Sequence, residues 1–104
     1  MMFQLGSALL DACVLAVLSR EDTYGYVLTQ SVRNIVEISE STLYPVLRRL
    51  LKENFLEDYD MAIDGRNRRY YKITEIGRLQ LNLYRSEWVK YSGKISRILG
   101  SGEE

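Results

Sequence analysis

Apolar residues along this chain recur at two rhythms, and the change of rhythm divides it into parts. From Ser39 to Phe55 the rhythm is helical: Leu43, Val46, Leu47 and Leu50 lie three and four residues apart, as expected of a helix with one face on a core. Ser41, Thr42, Tyr44, Pro45, Arg48, Arg49 and Lys52 fall off that stripe. Proline has no amide to donate and is accommodated near a helix start, so the pattern predicts a helix over about 40–53, capped close to Ser39 or Ser41. Upstream, Leu9 to Leu18 is apolar almost all round and predicts a largely buried first helix over about 7–19, with Ser7 as N-cap. After a polar break at Ser19 to Asp22, the residues Tyr24, Val27, Leu28, Val32 and Ile35 give a second helix over about 23–35, capped by Asp22 or Thr23. Gly25 costs this helix on the order of 1 kcal/mol relative to Ala, which points to a close approach to its backbone, by a neighbouring helix or by a phosphate. The turn Glu37-Ile38-Ser39 joins the second and third helices.

Past Phe55 the pattern shortens to alternation. Residues 56–73, with Asp64-Gly65 in the middle and Tyr70, Tyr71 and Ile73 in the second arm, predict a β-hairpin. The helical rhythm then returns. Thr74 caps a final helix over about 74–99, Glu75 suits its first turn, and Gly100 stops it. At 1.5 Å per residue that helix is about 38 Å long, more than so small a body covers. Tyr84, Trp88, Tyr91, Ile95 and Ile98 follow a four-three-four-three spacing along it, a coiled-coil-like seam. Such a stripe facing water would be a large aromatic patch. An obligate homodimer is therefore expected through this helix, with Leu81, with Leu9 and Cys13 of the first helix, and with the apolar terminus Met1 to Gly6 contributing.

The fold class that follows is mainly α with a small β-hairpin. A winged helix-turn-helix domain (1–73) precedes a C-terminal dimerisation helix (74–99) and a loose tail (100–104). The outward face of the third helix carries short hydroxyls near its start and cations one or two turns later, with no acid between Ser41 and Lys52. Hydroxyls suit base edges in a major groove and cations suit phosphates. The arginine-bearing hairpin is then the wing, lying along the backbone or placing Arg66 in a minor groove.

Composition modifies this picture at three points. Fourteen basic and fourteen acidic residues cancel across 104 residues, which is unusual for a DNA binder, yet local potential governs steering. Arg48, Arg49 and Lys52 cluster, and Arg66, Arg68, Arg69 and Lys72 fall in seven residues without an acid. With no histidine and a single cysteine, Cys13, this chain cannot assemble a histidine-based triad or dyad or a Cys/His zinc site. Neither a metal, a cofactor nor an enzyme is expected. Ala8 to Leu18 is too short to span a bilayer and carries Asp11, and no signal-peptide pattern surrounds it, so a cytoplasmic protein is expected. Two functional classes remain at this level: a DNA-binding regulator, and a winged-helix module whose basic face meets an acidic protein partner.

Four motifs in order resemble the PadR family of bacterial winged-helix transcriptional regulators. They are Tyr24-Gly25-Tyr26, Ser41-Thr42-Leu43-Tyr44-Pro45-Val46-Leu47-Arg48-Arg49-Leu50, Gly65-Arg66-Asn67-Arg68-Arg69-Tyr70-Tyr71 and Thr74-Glu75-Ile76-Gly77. The resemblance spans residues 8–99, and the single C-terminal helix is similar to the small PadR subgroup that includes multidrug-responsive repressors. It implies a dimer whose wing domains each bind half of an inverted-repeat operator in double-stranded DNA, usually as a repressor. By motif match, Ser41, Thr42 and Tyr44 would contact bases or backbone, and Arg48 phosphates. Tyr24 and Tyr26 would reach phosphate, and Arg66 with Arg68 would act from the wing. The family commonly carries Gly-Gly-Arg or Gly-Arg-Pro at the wing tip, where this chain has Asp64-Gly65-Arg66-Asn67. Trp88 has two readings, packing across the dimer seam or, by the resemblance, stacking a small aromatic effector.

Overall fold

The structure is a computed structural model and describes residues 7–35 and 38–100. The expectations for the apolar terminus, for the turn at Glu37 and for the tail beyond Gly100 lie outside these residues. In order the elements are α1 (Ser7–Arg20), β1 (Thr23–Tyr24), α2 (Gly25–Arg33), α3 (Glu40–Lys52), β2 (Leu56–Ile63), β3 (Arg66–Ile73) and α4 (Glu75–Leu99). No helix among the described residues is long and apolar enough to cross a membrane.

The fold is mainly helical and carries a three-stranded antiparallel sheet, with β3 in the middle of the order β1-β3-β2. The sequence pattern predicts two of these strands. Thr23 and Tyr24, expected to begin the second helix, are instead extended and pair with Tyr71 and Tyr70. That pairing delays α2 to Gly25 and leaves Tyr24 as its N-cap, without a side-chain cap bond, in place of Asp22 or Thr23. At its other end α2 stops at Arg33, so Ile35 lies beyond the helix and is 74% exposed.

The core draws on every helix. Val14, Leu15 and Leu18 of α1, Leu28 and Val32 of α2, and Leu43, Leu47 and Leu50 of α3 are buried with Leu56, Tyr71 and Ile73 of the sheet. Leu81 of α4 joins them, so it is consumed within the protomer and cannot serve the expected seam. Cys13 packs against the same core, and burial pushes its thiol upward from the ordinary range. Leu9 is half-buried.

Three caps set the frame. Ser39 accepts the Thr42 amide at the start of α3, and Thr74 accepts the Gly77 amide at the start of α4. Gly100, in the left-handed region, ends α4. At the end of α3 the Phe55 amide donates to the Leu50 carbonyl and the Asn54 amide to that of Leu51, both at 3.0 Å. With Asn54 at φ 64° this is a Schellman ending. Thr74 then ties down the exit: its hydroxyl donates to the Asn54 carbonyl at 2.7 Å and its amide to that of Phe55 at 3.1 Å. Gly77 lies against this junction, where a methyl group would sit 2.1 Å from the Phe55 carbonyl oxygen. Pro45 stands inside α3, one turn after its start, and deprives the Ser41 carbonyl of the amide donor it would otherwise meet.

Candidate nucleic-acid interface

Ser41, Pro45, Arg48 and Lys52 recur four, three and four residues apart on α3 and make one line opposite the buried Leu43, Val46, Leu47 and Leu50. All four are exposed. Thr42 flanks the line on one side and Tyr44, 52% exposed, on the other. At the helix start the Ser39 hydroxyl lies 2.9 Å from that of Ser41 and 3.1 Å from that of Thr42, so the three are pre-oriented as one polar group. Among the described residues Arg48 and Lys52 have no ion pair. An open groove separates the last turns of α3 from β2, with Arg48, Arg49 and Lys52 on one wall and Glu57 and Asp58 on the other.

Arg49 is not on the outward line. Its guanidinium turns back to pair with Asp11 of α1, whose side chain is only 8% exposed. Asp11 Oδ2 also accepts the Tyr84 hydroxyl of α4 at 3.2 Å. Burial raises the Asp11 carboxyl above its ordinary range, against the pull of Arg49 and the hydroxyl of Tyr84. The cation cluster expected on α3 is thereby reduced from three to two by a partner 38 residues away in sequence. One signal for it was present: a lone acid in an otherwise apolar helix requires a buried cation or donor.

The wing closes through a two-residue turn, Asp64 at φ 52° and Gly65 at φ 77°, the geometry of a type I′ hairpin turn. Ile63 pairs with Arg66 and Ala62 with Asn67. Gly65, Arg66 and Asn67 are exposed at the tip, and Arg66 has no ion pair among the described residues. Arg68 behaves differently: it is half-buried, with its guanidinium 4.5 Å from the centre of the Tyr24 ring, a cation–π contact. Arg69 reaches Asp58 at 3.6 Å and Asp60 at 4.0 Å, an exposed cross-strand pairing worth little energy.

Behind the wing, three tyrosines from three strands form a ladder that the sequence pattern did not reveal. Tyr24 and Tyr70 lie 5.4 Å apart, and Tyr70 and Tyr59 stack at 5.6 Å. The Tyr59 hydroxyl donates to Asp22 at 2.7 Å, and this bond to a carboxylate pushes the Tyr59 phenol up to about 12. The Tyr24 ring packs against Tyr70 and Arg68, whereas Tyr26 on α2 is 61% exposed.

Along α4, Tyr84 is half-buried within the protomer, while Trp88, Tyr91 and Ile98 are 50%, 58% and 79% exposed. Trp88 and Tyr91 lie 6.2 Å apart with tilted rings, and Ile95 is half-buried beyond them. Ile76, Leu79 and Leu83 are also exposed on a different side of the helix, an apolar stripe that the seam spacing did not include.

This architecture recurs in solved structures. A protein of Streptococcus mutans UA159 matches with a TM-score of 0.89 and 36% identity, covering 100% of this chain and 97% of that one. A PadR-like transcriptional regulator of Bacillus cereus matches with a TM-score of 0.79 and 33% identity, over 88% and 91% of the two chains. In sequence, an uncharacterised protein of Lysinibacillus sphaericus is 37% identical over 87 residues, 78% of this chain and 79% of its own length. A transcriptional regulator of Mycobacterium tuberculosis is 39% identical over 61 residues, 58% of this chain and 57% of its own length. The model of the transcriptional regulator PadR-like family matches residues 14–83, and with that span covering the helix-turn-helix, the wing and the start of α4, the chain belongs to the PadR-like family: it is a DNA-binding transcriptional regulator and not an enzyme.

Proposed function

We propose that two copies of this chain join through α4 and repress transcription at an inverted-repeat operator, each copy setting α3 in a major groove. The observation that carries this reading is the line Ser41, Pro45, Arg48 and Lys52, which is exposed and has no part in the core. Hydroxyls at its start meet base edges, Arg48 and Lys52 meet phosphates, and Tyr44 flanks the groove. Tyr26 reaches a phosphate from α2. From the wing tip, Gly65, Arg66 and Asn67 follow the backbone or enter the adjoining minor groove. Tyr24 and Arg68 support that wing from behind.

The dimer is supported by the outer half of α4, where Trp88, Tyr91, Ile98 and Leu99 are all at least half exposed. A second copy that laid its own α4 along this stripe would remove these residues from water. Trp88 and Tyr91 then line the two-fold axis, where a flat aromatic compound could stack between the copies and release DNA.

A titration of the protein against duplex DNA from its own upstream region tests the central claim. Retarded complexes whose affinity falls steeply with salt are expected, together with a footprint in two related halves. A protein that remains unbound at low ionic strength refutes it. Adding candidate aromatic compounds to the same titration tests the effector.

A further inference from the structure

Arg48 and Arg49 are neighbours with identical side chains, yet one is exposed and the other is drawn inward by a buried acid. A carboxylate as enclosed as Asp11 is costly unless it is paired and hydrogen-bonded. Asp11 achieves this through two different elements, Arg49 of the recognition helix on Oδ1 and Tyr84 of α4 on Oδ2. Arg49 could reach a phosphate only by stranding that charge, and α3 could rotate on α1 only by stretching the pair. Tyr84 precedes Trp88 by one turn on α4, so a movement of the outer half of that helix would bear on the same carboxylate.

We propose that Asp11 is a positioning residue for DNA binding: it withholds Arg49 from the phosphates and, through Arg49 and Tyr84, fixes the recognition helix against the C-terminal helix. The proposal rests on the DNA-binding reading above and deepens it. Its consequence is that sequence discrimination depends on a residue that touches no DNA, and that a change at α4 reaches α3 through one side chain.

The test is a set of anisotropy titrations over a salt series, with the upstream duplex and with a scrambled duplex of equal length. In Asp11→Asn the freed Arg49 is expected to gain a phosphate. The logarithmic salt slope then steepens by about 0.9, binding to the scrambled duplex tightens, and the ratio between the duplexes falls several-fold. Arg49→Gln is expected to leave the slope unchanged while the upstream duplex loses affinity several-fold. Tyr84→Phe keeps the ring packing and removes only the hydroxyl, and it is expected to lower discrimination at constant slope. A packing role alone would move thermal stability and leave slope and discrimination untouched. If Arg49→Gln flattens the slope by about 0.9, Arg49 is itself a phosphate contact and the proposal fails. It fails equally if all three variants bind as wild type does. Should Asp11→Asn not fold, the other two variants decide. Wild-type protein that does not bind DNA refutes the functional reading and this inference with it, whereas wild-type binding with indifferent variants refutes only the inference.

Discussion

Gly77→Ala and Gly93→Ala make the same chemical change in one helix, and the structure assigns them opposite signs. In a helix interior Ala is favoured over Gly by about 1 kcal/mol. At Gly93 nothing lies within 4 Å of the added methyl group, so that gain should appear in full. At Gly77 the methyl group would lie 2.1 Å from the Phe55 carbonyl oxygen and 2.9 Å from Ile73 Cγ1. The nearer atom is backbone and cannot rotate away. Relief requires α4 to back off the junction, with an overpacking cost of about 3 kcal/mol and loss of the Thr74 to Phe55 amide bond, worth about 1 kcal/mol. Set against the propensity gain, the net destabilisation is about 3 kcal/mol, or a fall in Tm on the order of 12–24 °C for a domain this size. Thermal and urea unfolding at one fixed protein concentration measures both variants, because self-association of the kind proposed would make melting depend on concentration. A Gly77→Ala protein as stable as wild type would mean that α4 does not press on Phe55 as described.

Arg48→Ala should weaken binding to all duplexes and flatten the logarithmic salt slope by about 0.9, read by anisotropy; an unchanged slope removes Arg48 from the interface. The double variant Trp88→Ala and Tyr91→Ala should shift sedimentation toward the monomer and lower Tm, and a normal dimer would show that the subunits join elsewhere. The Tyr59 phenol lies above its ordinary value of 10.0, at about 12, because its hydroxyl bonds to Asp22. The stabilisation from that bond is therefore complete below about pH 10 and lost as pH rises through about 12. Ring-carbon NMR of Tyr59 should show late titration in wild type and titration nearer 10 in Asp22→Asn; equal values would mean the bond is absent in solution.

Much of the architecture could be read from apolar spacing because α2 and α3 each bury one face, α1 is enclosed nearly all round, and helix caps bond residues close by in the chain. As caps, Ser39, Thr74 and Gly100 bond residues within one turn of themselves, although Thr74 also reaches back to Asn54 and Phe55, and the Asp64-Gly65 tip needs only the backbone freedom of two residues. What escaped the sequence reading depends on partners distant in the chain. Thr23 and Tyr24 look like the start of a helix until β3, nearly fifty residues later, supplies a strand to pair with. Arg49 looks like Arg48 until Asp11 is brought beneath it. Leu81 fits a seam by spacing, yet tertiary packing places it in the protomer core. Spacing gives the face of a helix and leaves open which neighbour, or which copy, will cover it.

Pro45 leaves one acceptor on the exposed side of α3 that belongs to no side chain, the Ser41 carbonyl. Truncating Ser41, Thr42 or Arg48 would leave that oxygen in place, so a conventional alanine scan of the exposed line cannot detect it. Only the proline itself governs it. Restoring an amide there would add a helix bond and occupy that oxygen in the same stroke, so under the proposed docking of α3 a firmer fold would come with one acceptor fewer at the groove.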